Sequence, residues 1–203
     1  MKLPRQLAIM GMAAALGACS LGGLLGGGGK PPPTLQTLTA QAPDPGAIAR
    51  SAAAEKAVTI GVPAVPKELN TVRVPVQLTP TDVQYVTNLE WVDTPDRLFQ
   101  KLVAETVRRT TNRVVLDPTQ TSLDPGLVLT GDLQRFGYDA QTGQVVVTFD
   151  GSLSTAGGSE VQTRRFTATA PADGTGPSVG PALNQAANQV AGQIAQWIGN
   201  SGA

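Results

Sequence analysis

Two spacings of apolar residues follow one another along this chain, and their order restricts its fold more than any other feature. Val58, Ile60 and Val62, then Val72, Val74, Val76 and Leu78, recur at period two, which buries one face of a β-strand. Pro63 and Pro66 between the two runs cannot donate to a ladder, so they end the first strand or mark a sheet edge. A short extended piece at 82–86 follows. Leu98, Phe99, Leu102, Val103, Thr106 and Val107 then recur at spacings of three and four, predicting a helix with one apolar stripe. Thr94 is placed to cap it and Pro95 to occupy its first position. Arg108 and Arg109 fall near its C-terminus, where the helix dipole favours cations, which accounts for them without a ligand. Residues 114–116 read as a short strand. In the longer run at 127–138, Leu127, Leu129, Gly131, Leu133 and Arg135 share one side. Residues 145–153 and 161–168 continue it as an antiparallel meander, with turns at 139–143 and at Gly157-Gly158. Val179, Leu183, Ala187, Val190, Ile194 and Trp197 form a second helical stripe. Strands, helix, strands, helix predicts one α+β domain over residues 57–199, with two main helices on a mostly antiparallel sheet.

The first 56 residues lack this order. Lys2 and Arg5 precede an apolar stretch at 7–16, which is too short to span a bilayer, where roughly 20 residues are needed. The pattern predicts a cleaved export signal over residues 1–18. Leu16-Gly17-Ala18-Cys19 resembles the bacterial lipobox, which implies that Cys19 becomes the acylated first residue of the mature chain. Ser20 after it, rather than an acidic residue, implies sorting to the outer membrane by the same resemblance. Residues 19–56 hold a Gly-rich tract, Pro31 to Pro33 and many small residues, a composition that predicts a flexible tether. A coil of that length spans about 35 Å. Within it, Thr34 to Leu38 alternates polar and apolar residues and reads equally as a short edge strand.

What the chain lacks excludes several chemistries. It has no histidine and a single cysteine, so a Ser-His-Asp triad, histidine metal sites and disulfides are ruled out. Without Lys2 and Arg5, 13 basic side chains remain against 15 acidic ones, which gives no field to attract nucleic acid. No P-loop, GxSxG or dinucleotide fingerprint is present. Glu90 with Asp93, and Asp132 with Asp139 or Asp150, are the available carboxylate pairs. Acid/base chemistry requires such a pair to face one substrate, and solvated charges or turn residues are their ordinary role. The expectation is no enzyme, no metal and no cofactor.

The segment entering "VPAVP", the stretch "TPTDVQYVTNLEWVDTPDRLFQKLVAETV" at 79–107 and "LTGDLQRFGYD" at 129–139 together resemble the ABC-type transport auxiliary lipoproteins. Tyr85, Trp91, Pro95, Leu98 and Phe136 occupy places where such proteins carry similar residues, although core packing alone explains Trp91 and Phe136. Beside that tryptophan such proteins often carry a small residue followed by an acidic or small one, where this chain has Val92-Asp93. The resemblance implies a periplasm-facing, outer-membrane-anchored accessory of a lipid transporter. Its partners would be a mammalian-cell-entry domain protein and an ABC permease with its ATPase. A lipid-binding role and a structural envelope-assembly role are the alternatives. Docking needs exposed positions, so Asn88, Glu90 and Asp93 in the 87–93 loop, and Gly157 and Gly158 at a hairpin tip, are the candidate partner contacts. Exposed sheet edges also admit a homo-oligomer.

Overall fold

The computed structural model describes residues 34–47, 49, 51, 56–120, 126–155 and 159–201. The leader, Cys19, the Gly-rich tract and Gly157-Gly158 lie outside them. Among the described residues, seven strands and two α-helices follow in chain order: β1 (Ala57–Ile60), β2 (Arg73–Gln77), β3 (Val83–Glu90), α1 (Pro95–Thr110), β4 (Val114–Leu116), β5 (Leu127–Asp139), β6 (Gln144–Ser154), β7 (Val161–Pro171) and α2 (Gly176–Asn200). This is the expected α+β architecture.

β5 organises the sheet. One edge pairs antiparallel with β6, from Val128 opposite Ser154 to Asp139 opposite Gln144. β6 pairs in turn with β7 along eleven residue positions. The other edge of β5 is shared. β1 pairs parallel with its first residues and β2 parallel with its last two. Between them Ala64 forms a single parallel bridge to Asp132. Pro75 has no N–H to give, which fits a β2 ladder with β5 that begins only at Val76. β4 adds parallel to β1, and β3 antiparallel to β2. The antiparallel ladders are the long ones, and the parallel ladders are short.

The helices share one face of this sheet. Val145, Val147, Phe149 and Leu153 of β6 point to it at 0–3% exposure, and the Phe149 ring lies 5.4 Å from Phe99 of α1 and 6.5 Å from Phe166 of β7. Phe166 in turn meets Trp197 of α2 at 5.4 Å. Val179, Leu183, Ala186, Ala187, Val190, Ala191, Ile194 and Ile198 of α2 are all fully buried. Each large apolar side chain enclosed this way contributes about 1.5–3 kcal/mol, so the space between the layers is the core of the fold. The opposite face carries Thr130, Asp132, Asp150, Ser152, Thr163 and Arg165.

Two local expectations are corrected. Arg135 does not share the inner side with Leu133. The register of β5 against β6 shifts between these residues. That bulge leaves Gln134 and Arg135 exposed and turns Phe136 inward at 1% exposure. Pro95 opens α1 as expected, but the Thr94 hydroxyl makes no cap hydrogen bond. Asp93 instead accepts from Thr94 N–H at 2.9 Å. No helix among the described residues is long and apolar enough to cross a membrane.

Candidate docking surface

The 87–93 segment is shaped by a bulge. The register of β3 against β2 shifts between Arg73 and Pro75, and Asn88, opposite that shift, has φ 56°. Asparagine tolerates this left-handed conformation better than most side chains. The bulge presses against the start of α2, where a methyl group on Gly176 would lie 3.4 Å from Asn88 O and from Leu89 Cβ. Asn88 itself is exposed and Glu90 half-buried. Asp93 Oδ2 accepts from Lys101 Nζ at 3.1 Å. That hydrogen bond, followed by the one from Thr94 N–H, holds the Asp93 carboxyl below its ordinary 3.8. The three residues therefore share one region but have different local tasks. Gly157 and Gly158 lie outside the described residues, as does Cys19.

The structure places an unexpected occupant beside them. Residues 36–44, which composition assigns to the tether, lie along the domain. Gln36 forms a parallel bridge to Trp91, its N–H donating to Glu90 O at 2.8 Å while its carbonyl accepts from Val92 N–H at 2.9 Å. Its side chain rests on α2 at Gly180, where an added methyl would meet Gln36 Oε1 at 3.2 Å. One turn on, Asn184 Oδ1 accepts from Thr39 N–H at 2.9 Å. A further turn on, Asn188 Nδ2 donates to Thr39 O at 2.9 Å and Asn188 Oδ1 accepts from Gln41 N–H at 2.7 Å. Gly180, Asn184 and Asn188 are spaced by four, so they share one helix face, and the two amides stand in for a neighbouring strand. Leu38 and Ala40 pack against the core from this strap. Arg109 completes it, donating to Ala42 O at 2.9 Å and lying 4.0 Å from Asp44. The dipole reading of Arg109 was thus incomplete. Besides its contact with Glu105 at 2.7 Å, it holds the chain entering from the N-terminus.

The carboxylates resolve differently from a catalytic pair. Asp132 and Asp150 do lie opposite one another on β5 and β6. Asp150, however, takes two hydrogen bonds of 2.6 Å from Arg165, and these hold its carboxyl below the ordinary 3.8. Asp139 lies at the far end of β5 with Arg135 at 3.0 Å. No cluster of three potential metal ligands occurs among the described residues. A groove of about 800 Å3 lies between the C-terminal ends of the helices, lined by Lys56, Asn112, Arg113, Gln196 and Asn200 among others. It opens at the surface rather than between the layers. Arg113 crosses there to donate to Ile198 O at 3.2 Å and to Ser201 O.

Comparison with known proteins agrees with this frame. A family model described as the ABC-type transport auxiliary lipoprotein component matches residues 37–195, and so begins inside the strap. A crystallised Xanthomonas campestris protein is similar over 70% of this chain and 83% of its own, at 18% identity and a TM-score of 0.63. A second solved structure, titled only as an uncharacterized protein, is 18% identical over 70% of this chain and 90% of its own, with a TM-score of 0.56. Both likenesses speak to the fold. No curated protein matches the chain.

Proposed function

The chain belongs to the ABC-type transport auxiliary lipoprotein family, and from that premise we propose that it is an anchored, non-catalytic docking component of an ABC lipid transporter. In this reading residues 1–18 are removed on export and Cys19 is acylated. The domain then faces the periplasm from the outer membrane. It binds a mammalian-cell-entry domain protein, or the permease and ATPase complex with which that protein works. The transported lipid passes between membranes without a chemical step on this chain.

The family match over most of the domain carries the proposal. Two features of the molecule support it. The side chains between the sheet and the helices are enclosed at or near 0% exposure, which argues against a lipid held between the layers. Of the two carboxylates that face each other, Asp150 is tied up by Arg165, which is the arrangement of a structural ion pair rather than of a general acid and base.

Mild crosslinking in intact envelopes, followed by extraction and mass spectrometry, tests the proposal. Recovery of a mammalian-cell-entry protein or a permease with the wild-type chain, and its loss with Cys19→Ser, is the expected result. Recovery of unrelated envelope proteins alone would remove the transport assignment.

A further inference from the structure

The strap settles where the N-terminal chain leaves the domain. Gln36 is held between Glu90 and Val92 by two backbone hydrogen bonds. Leu35, just before it, therefore stands at the end of the molecule that bears the start of α2, since Gly176 abuts Asn88 and Leu89 there. From this exit, and resting on the reading of Cys19 as the acylated anchor, we infer that this end of the domain is the one that lies against the lipid surface. α2 directs its own C-terminus and the β6–β7 hairpin away from the membrane.

Three observations carry the inference. The first is length. A leash free to Lys56 spans about 35 Å as a coil, whereas one that ends at Leu35 spans only about 20 Å. The second is direction. α2 runs from Gly176 to Asn200, a distance of about 36 Å at the helical rise, and so exceeds the shortened leash. The third is surface chemistry. Leu35 and Val92 are 51% and 52% exposed, and they flank the Gln36–Trp91 bridge at the point of exit. Two exposed apolar side chains beside a short acyl leash suit the headgroup boundary of a bilayer. At the opposite end, among the described residues, Val161 is the one large apolar side chain so exposed.

The test uses the full acylated chain in vesicles of phosphatidylethanolamine and phosphatidylglycerol. The chain has a single cysteine, which acylation consumes, so Val92→Cys and Asn200→Cys each introduce one labelling site. An environment-sensitive fluorophore at position 92 should be quenched strongly by lipid-borne quenchers near the headgroups, and one at position 200 weakly. Adding Asn184→Ala with Asn188→Ala should release the strap and shrink that difference. Circular dichroism checks that the domain remains folded. Equal quenching at the two positions, or stronger quenching at 200, would overturn the inference. A difference undiminished in the double variant would overturn the role given to the strap. Intact mass separates this from the parent reading. An unacylated chain removes the anchor and the inference together, whereas an acylated chain with equal quenching removes the inference alone.

Discussion

Gly131 is required by its surroundings rather than by a turn. It has φ 152° and faces Gly151 across the β5–β6 ladder, where a methyl group would strike Asp150 O and come 2.8 Å from the Phe149 ring. Neither the backbone nor a ring packed between Phe99 and Phe166 can move aside freely. Gly131→Ala should therefore lower stability by about 1–3 kcal/mol, the usual cost of overpacking. A urea titration with an unchanged midpoint would contradict this contact. Asp93 gives a second prediction at this scale. Its carboxyl is held below 3.8, first by Lys101 and then by Thr94 N–H. A group depressed in this way stabilises the fold fully above its unfolded value, and loses that contribution as pH falls through its lower folded value. Asp93→Asn should thus lower the melting temperature slightly at neutral pH and leave less further loss on acidification below 3.8. The effect is small because the Lys101 side chain is 65% exposed, and pairs of that kind contribute about 0–1 kcal/mol. Melting curves at neutral and acid pH for both chains measure it.

Among the elements, the strap depends on side chains far away in sequence. Asn188 holds both Thr39 O and Gln41 N–H, so Asn188→Ala should free Gln41 while Thr39 N–H stays on Asn184 and the buried stripe of α2 stays intact. Amide exchange at Gln41 should then accelerate towards that of an unstructured peptide, while global stability changes by about 0.5–1.5 kcal/mol per lost hydrogen bond. Unchanged exchange would mean that Leu38 and Ala40 hold the strap without the amides. The same contacts explain what was legible beforehand. The strands and helices were readable because burial of one face imposes a local period, as at Val72 to Leu78 and Leu98 to Val107. The strap was not, because its partners are backbone at Glu90 and Val92 and polar side chains as far as 145 to 149 residues away, which leave no periodic trace. Alternation at Thr34 to Leu38 registered only as an isolated bridge at Gln36. The bulge beside Arg135 escaped for a related reason. One extra residue reverses inside and outside, and only the burial of Phe136 shows where it falls. Asn88, Glu90 and Asp93 were chosen for exposure in a loop, and that choice could not show that Glu90 would be the seat of the strap.

At the scale of the whole molecule, the two helices and all but the shortest strand meet in one core. Val58 of β1, Val74 of β2, Leu89 of β3, Phe99 of α1, Leu133 of β5, Phe149 of β6, Phe166 of β7 and Ile194 of α2 belong to a single buried cluster, with Val115 of β4 packed against it. α2 closes over β6 and β7, and the strap crosses its outer side. In the proposed anchored state, pull from the N-terminal side would enter at Gln36 and reach the domain first through its backbone bonds to Glu90 and Val92, and then through Asn184 and Asn188. The strap should therefore detach before the core yields, because its hydrogen bonds are exposed or half-exposed whereas Ile194 is fully buried. Ile194→Ala leaves the strap contacts untouched but opens a cavity in the shared core, so it should cost about 2–5 kcal/mol. Because every element draws on the same cluster, α1, α2 and β6 should still unfold together, with a lower urea midpoint and an unchanged slope. Tryptophan fluorescence, which reports Trp91 beside β3 and Trp197 on α2, and circular dichroism should give coincident transitions. Separate transitions at the two probes would show instead that α2 forms an independent layer.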